Sequence, residues 1–580
     1  MENPSSTKIP SFVVWILVTL IMAWIVVVVT CSQFNMAPTF DEQNHVTRGI
    51  AILHTGDFRL CFHHPPLANI LEGLPVAWRQ NGFSTRMASW QPNNPKSLSI
   101  WDASHTTIWS HPRQGVHIIQ LARIPVLIFT LLLALLVFIW SRELFGVRGG
   151  LFSLALFALD PTILAHSGLA TTDMAAACTI VLAAYLLRRY IIKPSLATLL
   201  LAGLGVGLAL ASKFSALILL PIIAVLLLIF ALAAPRISVS LSEHWAPFPW
   251  WKRVGHAIGV GLAMLFIAGI VVWGTYGFKV EALGSKPGQP VAATATWKER
   301  IPVPAMQYLR GIKAVSQEAD GHRSFLLGQT DTTGHGWWYY FPVAIATKTP
   351  IPELIFLLVP LFVLIIPRTR RMISLRRREI VFLLLPVGVY TLAALGLLGI
   401  SLNLGIRHIL PIYPFLFILA GSWMMLRISS QLYRPALGAI FVVQLASVLL
   451  AYPDFISYFN EISIARQDGY HILVDSNYDW GQDLGQLAEL QRQDNLTPLY
   501  LSYFGTTPPE AYGLQYKPLP GFGLMSNVPK PDIRHFHGFI ALSVTDLMGG
   551  KAYTGTSYQQ FQSIKPYAVA GKTINVYWIP

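Results

Sequence analysis

Residues 12–30 read FVVWILVTLIMAWIVVVVT, a run without a charged side chain. A helix needs about 20 apolar residues to cross the hydrocarbon core of a bilayer, with a lower limit of about 17. Ile124–Trp140 and Phe214–Ala234 read the same way. The whole chain is 53% hydrophobic and 12% charged, against about 25% charged in soluble domains. Lipid is therefore the solvent that its composition fits. The first run lacks a small-residue cleavage site and is read as a retained anchor rather than a signal peptide.

Apolar-run length predicts about eleven spans, near 12–31, 119–140, 150–166, 171–187, 196–211, 214–234, 254–275, 351–367, 379–400, 409–426 and 436–452. With the N-terminus in the cytoplasm, alternate turns carry Arg142 and Arg148; Arg188, Arg189 and Lys193; Arg236, Lys252 and Arg253; Arg368, Arg370, Arg371, Arg376, Arg377 and Arg378; and Arg427 and Arg434. The opposing turns are poor in Lys and Arg, apart from Lys213 and Arg407. This bias follows the positive-inside rule and accounts for most of the net charge of +14 without nucleic acid as a partner. The expected architecture is a polytopic α-helical membrane protein with its N-terminus cytoplasmic and its membrane part over residues 1–452. Two large outer loops, 32–118 and 276–350, follow from the same orientation. Residues 453–580 form a small extracytoplasmic α/β domain, with a helix over Asp483–Gln493 and strands over Leu499–Tyr503, Gly538–Ser543 and Ile574–Ile579. Cys31 and Cys61 could pair outside the membrane; no CxxC metal pattern exists.

The chemistry-bearing residues gather on the outer side. Asp41 and Glu42 follow the first span, and helical spacing would put Asp41, His45 and Arg48 on one face. Two carboxylates at a membrane surface are costly to desolvate. One of them could serve as a general base, or both could simply complement a helix N-terminus. His63 and His64 precede Pro65-Pro66; they could hold a metal or phosphate, or merely flank a turn. Asp173 sits at the outer mouth of a span, where site and helix-cap readings compete. Lys213 and Arg407, the latter beside His408, are cations on the outer rim. They could snorkel to headgroups or hold a phosphate, which Arg grips as a fork and Lys as a point charge. Trp337 and Tyr339 lie in an aromatic run that could stack on sugars or form an interfacial belt. Gly203, Gly205 and Gly207 do not form a dinucleotide fingerprint and read as helix-packing positions.

The ordered set resembles the GT-C membrane glycosyltransferases, particularly the protein O-mannosyltransferase and aminoarabinose-transferase branch and its bacterial members. It comprises Asp41-Glu42, His64-Pro-Pro-Leu67, Leu169-Ala-Thr-Thr-Asp173, Ser212-Lys-Phe214, Gly336-Trp-Trp-Tyr-Tyr-Phe-Pro342, Arg407-His-Ile-Leu-Pro-Ile-Tyr-Pro414 and Asp475-Ser-Asn-Tyr-Asp-Trp-Gly-Gln-Asp483. The resemblance implies a polyprenyl-phosphate sugar as donor and inverting displacement at the anomeric carbon. Asp41 would be the base, and Glu42 and Asp173 would shape the site or bind acceptor. Lys213, Arg407 and His408 would face the carrier phosphate, and His63 and His64 would border the donor pocket. The acceptor is a lipid, glycan or protein. The C-terminal part departs from the sugar-binding module of eukaryotic O-mannosyltransferases, so protein gains no support as acceptor. No cofactor follows from the residues, while a divalent cation remains compatible with them. The expected location is the plasma (inner) membrane.

A transporter or flippase of lipid-linked sugars is the competing reading. It predicts repeated halves, broken helices and midplane charges. The sequence has no evident repeat, and its unusual charges collect at one face. A membrane-anchored scaffold would leave the acidic, His-rich first loop without a role.

Overall fold

The computed structural model describes residues 9–60, 63–79, 99–233, 248–286, 291–292, 294–318, 323–363, 377–397, 403–425, 433–465, 468–529 and 537–580. Cys61, Arg236, Arg368, Arg370, Arg371, Arg376 and Arg427 lie outside them, and with Cys61 so does its pairing with Cys31.

The first apolar run forms α1 (Ser11–Phe34), 24 residues and so about 36 Å long, enough to cross the core. The described residues between the first two apolar runs are largely helical. They form α2 (Glu42–Thr55), α3 (Pro66–Ala77), α4 (Ile100–Thr107) and α5 (Pro112–Ala122), which leads into α6 (Ile124–Ala158). The chain reverses inside α6 at Gly146 (φ 78°). The hydroxyls of Ser141 and Ser153 meet at 2.8 Å, although twelve residues of straight helix would hold them about 18 Å apart. Two antiparallel legs thus replace one long helix, joined at the basic turn between Arg142 and Arg148. α7 (Pro161–His166), α8 (Thr172–Ile192), α9 (Leu196–Ser212), α10 (Leu219–Ala233) and α11 (Trp250–Thr275) follow. Gly203 and Gly207 of α9 lie against Ile267 and Val271 of α11, and Gly205 against α8, as close packing predicts.

The segment after α11 carries two antiparallel hairpins, β1 (Val280–Ala282) with β2 (Pro302–Pro304) and β3 (Ser324–Leu326) with β4 (Gln329–Asp331). Between them runs α12 (Met306–Glu318). Residues 340–348, expected in the second outer loop, instead form α13 (Tyr340–Lys348), and α14 (Ile351–Val363) follows after a bend of 117°. Pro350 sits at the bend, where its ring and missing N–H oppose a continuous helix. Lys348 is buried at the same place, its Nζ donating to the carbonyls of Ile456, Tyr458 and Asn477 at 2.6–2.7 Å. Helices Arg377–Ala394, Ile412–Ala420 and Tyr433–Ala451 complete the membrane part.

Among the described residues five helical stretches are long and apolar enough to cross a membrane: Ser11–Phe34, Pro112–Ala158, Thr172–Ile192, Phe214–Ala233 and Trp250–Thr275. The bent pair Tyr340–Lys348 and Ile351–Leu358 passes the same test together, and four shorter apolar helices have 10–17 residues. Every apolar run thus meets a helix, but only some are long enough to cross alone. The molecule is a polytopic α-helical membrane protein.

The C-terminal strands form one mixed sheet. β5 (Leu499–Ser502), β6 (Lys517–Pro518), β7 (Gly538–Ser543), β8 (Ala568–Ala570) and β9 (Ile574–Ile579) lie in the order β6-β5-β7-β9-β8. β5 runs parallel to β6 and β7, and β9 antiparallel to β7 and β8. Helix Leu484–Asp494 packs Leu484, Leu487 and Ala488 into a core shared with Leu501, Ala541 and Val576.

Candidate active site

Between α1 and α2 the chain has no regular structure, and several of its polar backbone groups are met by the C-terminal segment. Ala37 N–H donates to Gln482 O at 2.8 Å and Phe40 N–H to Trp480 O at 3.0 Å. Thr506 and Thr507 hydroxyls donate to the carbonyls of Phe40 and Pro38 at 3.0 and 3.1 Å. The Phe40 ring stacks on Phe504 at 5.2 Å and on Phe522 at 5.7 Å. The residue before Asp41 is therefore held from both its backbone and its ring.

Asp41 stands at the N-cap position of α2 but makes no capping hydrogen bond. Its carboxylate instead accepts from Nη1 of Arg407 at 2.8 Å. Arg407 comes from a short 3₁₀ turn, Ile406–Ile409, anchored where Ile406 N–H donates to Asn477 Oδ1 at 2.9 Å. Its guanidinium lies 4.3 Å over the Trp480 ring, and Nη1 stands 3.8 Å from Asp173 Oδ2. Arg407 Nε is buried without an acceptor among the described residues. Asp173 is buried in the first turn of α8, bound by Lys213 Nζ at 2.5 Å and Thr171 Oγ1 at 3.1 Å. The series Asp41–Arg407–Asp173–Lys213 alternates in sign, which keeps two carboxylates and two cations together in a partly dry site.

Glu42, expected to shape the site or bind acceptor, is held by the protein's own groups. Arg123 grips it with two nitrogens at 2.8 and 2.7 Å. Thr39 N–H and Oγ1 donate to it at 2.7 and 3.0 Å, and Ala170 N–H at 2.8 Å. Both oxygens are spent and the side chain is 0% exposed, so Glu42 is a structural key between residues 39, 123 and 170.

The histidines fall on the same side. Gly49 and Gly73 let α2 and α3 touch; a Cβ at Gly49 would lie 1.9 Å from Asn69 O. That approach brings Asn69 Oδ1 within 2.9 Å of His45 Nδ1. The His45 and His64 rings are 4.8 Å apart, and His64 Nδ1 is 3.5 Å from Thr172 Oγ1, next to Asp173. Burial, with Arg48 nearby, pushes His45 down to about 4. Burial and then His45 hold His64 well below the usual imidazole range. Two neutral rings can pack closely where two imidazolium ions would repel. His63 is half-buried beside His64, and His408 follows Arg407 in its turn. Arg48 Nε donates to Leu60 O at 3.0 Å, which ties down the loop before the histidines.

Trp337 and Tyr339 pack on the membrane core. The ring that stands out is Trp338, 68% exposed. Their neighbour Tyr340 is buried, and its hydroxyl accepts from Asn477 Nδ2 at 2.9 Å. Residues 475–483 do more than expected. Asp475 adopts φ 57°, and burial pushes its carboxyl up to about 7 against the pull of Arg407. Asp479 and Asp483 bind Thr545 and Thr573 backbone N–H groups at 3.0 Å each. Arg123 escaped the motif reading, while Trp480 stood inside the Asp475–Asp483 motif with no role assigned to it. An arginine near the end of an apolar run was the available signal for Arg123. Among the described residues no group of three or more His, Cys, Asp or Glu side chains is arranged to hold a metal ion.

Residues 116–273 match the family described as dolichyl-phosphate-mannose-protein mannosyltransferase. No curated protein matches the chain. Among solved structures it is similar to ArnT of Cupriavidus metallidurans bound to undecaprenyl phosphate, with 14% identity over 96% of this chain and 97% of that one at a TM-score of 0.44. The apo form of the same protein gives 15% identity, 98% of each chain and 0.42. The apo oligosaccharyltransferase of Archaeoglobus fulgidus gives 14% identity, 83% of this chain, 58% of that one and 0.44. The family match over residues 116–273, which include Arg123, Asp173 and Lys213, bears out the resemblance to the GT-C membrane glycosyltransferases read from the ordered motifs.

Proposed function

We propose that the protein transfers a sugar from a polyprenyl-phosphate carrier to an acceptor on the outer face of the plasma (inner) membrane. The observation that carries this reading is the Asp41 carboxylate, unspent on its helix and opposed by Arg407 with Lys213 beyond Asp173. The basic cytoplasmic turns support the orientation, with residues 453–580 as the outer α/β domain and residues 1–452 as the membrane part.

Arg407 and Lys213 are the cations for the carrier phosphate. Negative charge grows on that phosphate as the bond to the sugar breaks, and preorganised cations favour that stage. The buried Arg407 Nε is a ready donor to it. A phosphate bound there competes with Asp41 for the guanidinium. Asp41 is then released to take the proton of the acceptor hydroxyl or amine as that group attacks the anomeric carbon. The new glycosidic bond forms opposite the departing phosphate oxygen, which gives inversion. Neutral His45 and His64 border this space without adding charge.

The test is transfer of radiolabelled sugar from a panel of polyprenyl-phosphate sugars by purified protein, with membrane extract as acceptor source. Label in a product whose anomeric configuration is opposite to the donor's is expected. Retained configuration would contradict the single displacement.

A further inference from the structure

At the end of α2 remote from Asp41 residues 57–59 and 279–307 line an open cleft of about 430 Å³, within the range of small-molecule sites. The 14 residues of α2 set it about 21 Å from the base. Its own carboxylates are already neutralised. Asp57 accepts from Arg59 Nε at 2.7 Å, and Glu281 from Arg310 Nη1 at 2.6 Å and Gln307 Nε2 at 3.1 Å. Its two lysines are not. Lys279 donates to the Gly56 carbonyl and stands 5.2 Å over the Phe58 ring. Lys286 is exposed on the cavity wall, and among the described residues neither lysine pairs with a carboxylate.

The lining therefore offers positive charge, amide and carboxylate groups for hydroxyls, and the edge of a buried aromatic ring for C–H groups. We infer that this cavity binds a saccharide bearing an oxyanion, a phosphate or a carboxylate, and holds the acceptor away from the reacting end. Its assignment to the acceptor rests on the proposed transfer reaction; its binding chemistry does not. Hydroxyls would meet Gln307 and the paired carboxylates, while the oxyanion would sit between Lys279 and Lys286 as a charge-assisted partner.

The test is direct binding to full-length protein in detergent, with mannose 6-phosphate, glucuronic acid and uncharged mannose as probes, for wild type, Asp41→Asn and Lys286→Gln. At least one anionic probe is expected to bind tenfold or more tighter than mannose; which one identifies the oxyanion. Lys286 is exposed, so its replacement leaves the fold intact, and it is expected to cost about tenfold in affinity. The tenfold loss on Lys286→Gln is expected in the Asp41→Asn background as well, whether or not sugar transfer proves to be the protein's chemistry. Equal binding of charged and neutral probes, or unchanged affinity in Lys286→Gln, would overturn the inference.

Discussion

Arg407 lies 4.3 Å over the ring of Trp480 while its Nη1 bonds to Asp41 at 2.8 Å. A residue of the C-terminal segment thus packs against the cation that faces Asp41. A cation over an indole contributes roughly 1–2 kcal/mol when partly desolvated. Trp480→Leu should therefore lower the transfer rate about tenfold. Unfolding temperature should change little beyond the loss of packing. Arg407→Lys should do worse, because an ammonium keeps the charge but loses the fork and the stacking. Rates at saturating carrier would separate the two: a Trp480→Leu enzyme with unchanged kcat would show that the stacking is incidental.

The Glu42–Arg123 pair predicts loss of stability rather than of chemistry. Breaking a buried ion pair by removing one partner typically costs about 3–5 kcal/mol, because the other charge stays buried alone. Arg123→Met should destabilise the protein by that amount in denaturant titration in detergent. Joint replacement, Glu42→Met with Arg123→Met, should recover part of it. An Arg123→Met protein as stable as wild type but inactive would give the pair a direct part in the reaction.

His45 sets a pH dependence. Its folded value is about 4, below the ordinary 6.5, so the native state binds fewer protons than the unfolded chain between these values. Its favourable contribution is full above about pH 6.5 and falls away as pH drops towards 4, by up to about 3 kcal/mol in all. The difference in stability between wild type and His45→Gln, measured from pH 7.5 down to 4, isolates this group. Wild type should lose more stability than the variant across that window. Parallel curves would mean that the ring is protonated or solvated in the fold.

The parts of this site that can be read from sequence are ionisable residues standing where apolar runs end. Asp41, Asp173, Lys213 and Arg407 all satisfy that description, and all converge. The basic turn at Arg142–Arg148 is legible for the same reason, and the chain reverses there at Gly146. Glu42 cannot be told from Asp41 by position, because what separates them is the approach of Arg123, 81 residues away. Strands Leu499–Ser502, Gly538–Ser543 and Ile574–Ile579 meet the expected apolar runs, while β6 and β8, of two and three residues, are too short to read. The docking of the C-terminal segment onto residues 35–41 is invisible, because it runs through backbone groups of Ala37, Phe40, Trp480 and Gln482 that every residue type possesses. Residues 340–348 read as aromatic loop, and only the packing of Tyr340 and Lys348 into a buried polar junction makes them a helix.

The central claim is that the Asp41 carboxylate takes the acceptor's proton, and general bases of this kind contribute about 10²–10⁴ in rate. The direct measurement compares wild type and Asp41→Asn for transfer rate and for carrier binding in the same preparation. Asn keeps the shape and removes the basicity. The account predicts retained carrier binding with transfer reduced by about 10²-fold or more. Wild-type transfer by a folded Asp41→Asn protein would contradict it.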